Sequence, residues 1–221
     1  MGKRMSDKTK AKLKLGTGTG ANYKPYLRVN DMTIGGTRAR VIDWITGREV
    51  HLMSQAEKIV WFNLRWRDDI IDIREQFPLE LCITQKIAES FGIIHPRDAG
   101  EDIVMTTDLL LTMTDGTEIA INIKDSKTEI DKRRNKEKAL IEKYYWQVHK
   151  NIKYYRVCSK DFNKILCKNL ELINVYYSDK NVCDQSSYFA HQIMRKKILV
   201  DLETEVIHLE KIKEVLEGNY A

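Results

Sequence analysis

"TTDLLLTMTDGTEIAINIKDS", Thr106–Ser126, is the stretch on which the reading of this chain turns. Leu109 and Leu111 before the segment Thr114-Asp115-Gly116-Thr117, and Ile119, Ile121 and Ile123 after it, alternate with the period of a strand. Asp-Gly supplies a turn between them, so the stretch is expected to be two paired strands. Its polar residues gather at one end. Asp108 opens the first strand, and Asn122 and Lys124 share a face at the close of the second, because side chains alternate along a strand. Paired strands would bring the three together. They are either ordinary solvated strand ends or ligands for metal and water on a rigid platform.

Working outward, "RARVIDWITGREVHL" reads as a hairpin with its turn at Thr46-Gly47. Ser54, followed three positions later by Glu57, is a capping box that opens a helix through "QAEKIVWFNLRW". "IIDIREQFPL" alternates as a strand closed by Pro78, and Thr84 to Phe91 reads as a short helix before a loop at His95-Pro96. Asp131 to about Lys150 carries Leu140, Ile141, Tyr144, Tyr145 and Val148 against dense charge, an amphipathic helix. "IKYYRVCS" adds a strand, and the order strand, helix, strand implies a right-handed crossover. Beyond Phe162 the segments are short and helical: "FNKILCKNLELINVYY", "SSYFAHQIMRKKILV" and "EVIHLEKIKEVLEG". Residues 1–22, rich in lysine and ending in repeated Gly-Thr, are expected to be a basic flexible arm.

The chain has 221 residues, 43% apolar and 31% charged, the composition of a folded protein. The net charge of +5 is compatible with a polyanionic partner without demanding one. Apolar runs such as Ile103 to Met105 stop far short of the roughly 20 residues of a membrane span. The N-terminus lacks the apolar stretch of a secretory signal, and Cys82, Cys158, Cys167 and Cys183 form no C-x-x-C pair. Reduced thiols in the cytoplasm, away from any membrane, are the expectation.

Phosphodiester hydrolysis needs a divalent cation for the charge on the attacking and leaving oxygens, and a group that orients or deprotonates water. Magnesium accepts one or two carboxylates plus neutral oxygens. Asp108, the Ile123 backbone carbonyl and Asn122, directly or through a water, would supply those oxygens, with Glu57 as a second carboxylate from the preceding helix. Lys124 would hold the attacking water. Together they resemble the E…D…(D/E/Q)-x-K pattern of restriction-endonuclease-like nucleases. Each residue also has an ordinary alternative: a strand-end hydrogen bond for Asp108, a surface amine for Lys124, a capping partner for Glu57. Lys127, Lys132, Arg133, Arg134 and Lys136 lie close by and could track DNA phosphates or merely solvate a helix start.

"YKPYL", "TGREVHLMSQAE", "DIREQFPL", "GIIHP", "VMTTDLLL", "IAINIKDS" and "EKYYW" occur in the order and spacing of the TnsA family, the endonuclease subunits of Tn7-type transposons. The resemblance covers roughly Tyr23 to Phe162. It implies an α/β fold: a restriction-endonuclease-like mixed sheet flanked by helices over 23–162, with a helical or winged-helix partner-binding domain over 163–221. It also implies that Glu57, Asp108 and Lys124 are catalytic, and that Asn122 stands where the family has glutamine. The implied activity is magnesium-dependent cutting of the 5′ ends of the transposon, with manganese able to substitute. The implied partners are transposon-end DNA, a TnsB-type transposase that cuts and joins the 3′ ends, and a TnsC-type AAA+ regulator. Two other readings remain: a catalytically weak bridging subunit, and a stand-alone restriction or repair nuclease. His95 is expected to be a turn residue, and Arg74, Glu75 and Gln76 to build a polar network around the helix of Glu57.

Overall fold

The computed structural model describes residues 5–31 and 37–208. Helix α1 (Asp7–Lys12) comes first, then the hairpin β1 (Ala39–Ile42) and β2 (Glu49–Leu52), α2 (Gln55–Arg65), β3 (Ile70–Pro78) and α3 (Leu81–Ser90). A two-residue hairpin, β4 (Arg97–Asp98) and β5 (Glu101–Asp102), leads into β6 (Thr106–Met113) and β7 (Glu118–Lys124). Then follow α4 (Lys127–Asp131), α5 (Arg133–Tyr144), β8 (Lys153–Cys158), α6 (Lys164–Ile173) and α7 (Gln185–Met194).

The alternating stretch forms the middle of a mixed sheet of order β3-β6-β7-β8. Neighbours are antiparallel except β7 and β8, which run parallel and are joined through α4 and α5 as the crossover expectation required. The turn between β6 and β7 is closed by Asp115, whose carboxylate accepts from the Thr117 amide at 2.9 Å, with Gly116 at φ +82°. That conformation is strained for a residue with a Cβ, which explains glycine there.

Strand alternation splits the apolar residues between two cores. Ile73, Leu109, Leu111, Ile121 and Ile123 pack against α2, α6, α7 and the β1–β2 hairpin, around the fully buried Val60, Trp61 and Phe62 of α2. Each such side chain contributes about 1.5–3 kcal/mol through burial. Leu110 and Ala120 face the other way, onto Ile141, Tyr145 and Trp146.

Three expectations are corrected. From residue 5 the N-terminal segment is no free arm: Leu15, Tyr23 and Tyr26 are buried, the Tyr23 hydroxyl donates to the Glu75 carbonyl at 2.9 Å, and the Gly20 amide donates to Asp72 Oδ2 at 2.9 Å. The Asp131–Lys150 helix is broken at Lys132, whose ψ of +130° is extended, and ends in a π-helical turn over Tyr145–His149. The added residue in that turn shifts the helix phase, so Tyr144 and Val148 are exposed while Tyr145 and Trp146 are buried. Residues 163–208 hold no strand, so no wing is present among the described residues. Leu166, Leu170, Ile173 and Ile193 there join the core of α2 and do not build one of their own. Most of the helix expected from "EVIHLEKIKEVLEG" lies outside the described residues.

Candidate active site

The ladder between β6 and β7 runs from Thr112↔Glu118 to Leu109↔Ile121 and stops just before Asp108. The carboxylate of Asp108 takes over where the backbone stops, its Oδ2 accepting from the Ile123 amide at 2.6 Å. Glu57 arrives from the first turn of α2. Ser54 caps that helix by accepting from the Glu57 amide at 3.1 Å, and its hydroxyl donates to Glu57 Oε1 at 3.1 Å. Glu57 Oε2 accepts from the Met53 amide at 2.9 Å and from Gln76 Nε2 at 3.2 Å. Capping the helix therefore does not take Glu57 out of reach of the charge of Asp108.

Gln76 ties β3 to β6 and to α2 at this end of the sheet. Register pairs Glu75 with Leu109 and Phe77 with Thr107, which sets Gln76 across from Asp108. Its Oε1 accepts from Thr106 Oγ1 at 3.1 Å, and its carbonyl accepts from the Tyr26 amide at 3.3 Å. The residue is buried with φ +49°, a left-handed conformation that costs a non-glycine residue roughly 1–3 kcal/mol.

Asn122 donates through Nδ2 to Glu142 Oε1 at 3.1 Å, while its buried Oδ1 has no hydrogen-bond partner. Glu142, on α5, also accepts from Thr107 Oγ1 at 3.3 Å, and Trp146 Nε1 donates to that same hydroxyl at 2.7 Å. Sequence reading missed Glu142 by assigning it to the charged side of the helix. The available signal was its spacing of three from Ala139 and from Tyr145, both buried, which puts the carboxyl on the apolar face. Lys124 Nζ donates to the Ile123 carbonyl at 2.9 Å, so the expected metal-ligand carbonyl and the expected water-holding amine are in contact.

The electrostatics are those of crowded, desolvated carboxyls. Burial first, then the charge of Asp108, holds Glu57 well above the usual carboxylate range. Burial likewise raises Asp108, against the opposing pull of Lys124 and of the Ile123 amide. Glu142 is pushed up to about 8 by burial and by Asp108. Lys138, one turn before Glu142, is lowered by burial and by the cations Arg134 and Lys124. Such opposed environments are characteristic of functional sites. Among the described residues no three His, Cys, Asp or Glu side chains form a ready-made cage for a metal. Two carboxylates, an unpartnered amide oxygen and a strand-end carbonyl are nevertheless the oxygen set that magnesium takes, so the donors fit it.

The basic residues expected to meet DNA are mostly engaged with their own neighbours. Lys132 pairs with Glu129, Lys136 with Asp131 at 2.9 Å, and both Arg133 and Arg134 with Glu137 at 2.9 and 3.0 Å. His95 is buried, with Nε2 bonded to Thr84 Oγ1 at 3.0 Å, the structural role expected of it. Glu75 faces away from the carboxylate cluster and is clamped by Arg48 at 2.6 and 2.8 Å, locking β2 to β3. A cleft of about 560 Å³ lined by Trp44, Trp66, Tyr177 and Lys196 includes none of the cluster's residues.

Comparison with known proteins gives the family. Residues 67–158 match the model of the TnsA-like endonuclease N-terminal family, a span that includes Asp108, Asn122, Lys124 and Glu142. The chain is 35% identical over 186 residues to the transposon Tn7 transposition protein TnsA of Escherichia coli, covering 82% of this chain and 67% of that protein. A nuclease-like mixed sheet with a carboxylate cluster at one end, matched over this length, places the chain in the TnsA family of Tn7-type transposition endonucleases.

Proposed function

We propose that this chain hydrolyses the 5′-terminated, non-transferred strand at each transposon end with the help of a divalent cation. A TnsB-type transposase processes the other strand, and a TnsC-type regulator licenses the reaction. The observation that carries this reading is the meeting of two carboxyls, Glu57 and Asp108, with Lys124 at the end of one sheet, each carboxyl raised by burial.

Glu57 and Asp108 would hold magnesium, or manganese in its place, with the Asn122 Oδ1 and the Ile123 carbonyl as neutral oxygens. When bound, the cation supplies positive charge for the phosphate oxygens and lowers the pKa of water. Without it, burial favours the protonated carboxyls, so metal loading displaces protons. Lys124, released from the Ile123 carbonyl, offers an ammonium to the attacking water and favours its ionised form. Glu142 acts through others: it fixes the Asn122 amide and stands near Lys124. Lys127, Lys132, Arg133, Arg134 and Lys136 are assigned to phosphate contact in the assembled transposition complex, where all but Lys127 exchange weak, solvent-exposed ion pairs.

The test is strand-resolved cutting of transposon-end DNA with magnesium, transposase and regulator, comparing this chain with Asp108→Ala. Cuts at 5′ ends with the unaltered chain alone support the reading. An intact 5′ strand with both, while 3′ joining proceeds, would instead make the chain a bridging subunit. Asn122 favours that second reading only through its length, one methylene shorter than the glutamine expected there, since its Oδ1 has no hydrogen-bond partner and could still face a cation.

A further inference from the structure

We propose that residues 5–31 form the principal phosphate-tracking surface, a ridge that leads the DNA backbone to the carboxylate cluster. This rests on the nuclease reading and extends it from the reacting atoms to the path of the substrate.

Charge is the first ground. Residues 5–31 carry six cations, Lys8, Lys10, Lys12, Lys14, Lys24 and Arg28, against two acids, Asp7 and Asp31. Their net charge of +4 is most of the +5 of the whole chain. Asp7 is itself committed, accepting from the Tyr26 hydroxyl at 2.5 Å.

Availability is the second. Lys8, Lys12, Lys14 and Lys24 are exposed and have no carboxylate partner among the described residues. Four of the five α4–α5 cations named above differ, since Lys132, Arg133, Arg134 and Lys136 each have one, whereas Lys127 has none among the described residues. A phosphate that approaches α5 must break an ion pair. One that approaches α1 displaces only counterions, the release that drives most DNA binding. Lys8 and Lys12, four residues apart on α1, also lie on one face of the helix.

Anchoring is the third. Lys10 is buried with its ammonium 3.9 Å from the centre of the Tyr26 ring, which fastens α1 to that residue. The Tyr26 amide donates to the Gln76 carbonyl at 3.3 Å, and Gln76 Nε2 donates to Glu57 Oε2 at 3.2 Å. Only Tyr26 and Gln76 therefore stand between α1 and the carboxylate of Glu57. Gly16 brings the following loop against Pro78, whose Cγ would lie 2.3 Å from a Cβ added there. The ridge is thus rigidly held beside the site, which makes its cations useful for positioning as well as for attraction.

The experiment is equilibrium binding of a fluorescein-labelled duplex carrying a transposon end, without magnesium, over a series of salt concentrations. The full chain is compared with Lys8→Ala/Lys12→Ala/Lys14→Ala and with Lys132→Ala/Arg133→Ala/Lys136→Ala, each checked for unchanged thermal unfolding. The N-terminal triple variant is expected to flatten the slope of log K against log salt by about 2–3, near 0.9 per lost phosphate contact. The α5 variant is expected to keep the original slope, and Lys8→Arg/Lys12→Arg/Lys14→Arg to restore it. An unchanged slope in the N-terminal variant, loss confined to the α5 variant, or no salt-dependent binding by the unaltered chain overturns the proposal. Cutting is not measured here, so a chain that binds through the ridge but never cleaves refutes the nuclease reading and leaves this one standing.

Discussion

Asn122 on β7 and Glu142 on α5 are joined by a 3.1 Å hydrogen bond that ties the end of the sheet to the crossover helix beneath it. Because Glu142 is buried and raised to about 8, this link holds a proton at neutral pH.

The proton gives a pH dependence with a definite sign. A carboxyl whose folded pKa lies above its ordinary 4.5 contributes fully below that value, and the contribution is lost as pH rises towards about 8. The metal-free protein should therefore lose stability over that window, by up to about 1.4 kcal/mol per pH unit from this group. Glu142→Gln should flatten the loss. Urea unfolding at several pH values in EDTA measures it, and equal slopes for both proteins would remove Glu142 as the cause.

The charge of Asp108 disfavours an ionised Glu57, so the proposed cation site holds two carboxyls that repel each other when both are ionised. Asp108→Asn should stabilise the metal-free protein by roughly 0.5–2 kcal/mol at pH 8, as removal of functional strain commonly does. Magnesium should raise the melting temperature of the unaltered chain and leave that of the variant unchanged. Differential scanning calorimetry with and without magnesium reads both effects.

Gln76 combines backbone strain with two side-chain bonds, so its variants separate the two. Gln76→Gly relieves the left-handed φ and should unfold at close to the original denaturant midpoint. Cutting or metal affinity should nevertheless fall about 10–100-fold, the usual cost of losing a residue that orients a metal ligand. Gln76→Ala, which loses the bonds and keeps the strain, should be the less stable of the two. Retained activity in both would mean that Glu57 is oriented by Ser54 and Met53 alone.

Arg48 and Glu75 form a buried pair outside the carboxylate cluster, with side chains 6% and 0% exposed. Arg48→Met strands a buried carboxylate and should cost about 3–5 kcal/mol, while Arg48→Met/Glu75→Leu should recover much of it. Equilibrium unfolding of the two variants tests this, and equal losses would show that the pair serves packing more than charge.

Local chemistry made much of the frame legible. Ser54 caps α2, Asp115 and Gly116 close the central hairpin, and period-two alternation from Thr106 to Lys124 gave strands that the structure contains. The same alternation put Asp108 beside the close of β7, where its carboxylate accepts from the Ile123 amide. Glu142 escaped because a π-helical turn downstream of it shifts the phase by which α5 was read. The N-terminal segment escaped for a different reason: Gly20, Tyr23 and Tyr26 fasten it through hydrogen bonds to Asp72, Glu75 and Gln76, which hydropathy does not register. The left-handed φ of Gln76 left no trace either, since neither proline nor glycine marks it.

The sheet divides two cores, and this limits how such a chain can diverge by insertion and deletion. One residue added within β6 would exchange Leu109 and Leu110 between opposite cores and turn Asp108 away from Asn122. Substitutions can accumulate along these strands one at a time, but changes of length are confined to the turn at Thr114–Thr117 and to the segments outside the sheet. Over long descent, the spacing between Asp108 and Lys124 can change only through that turn.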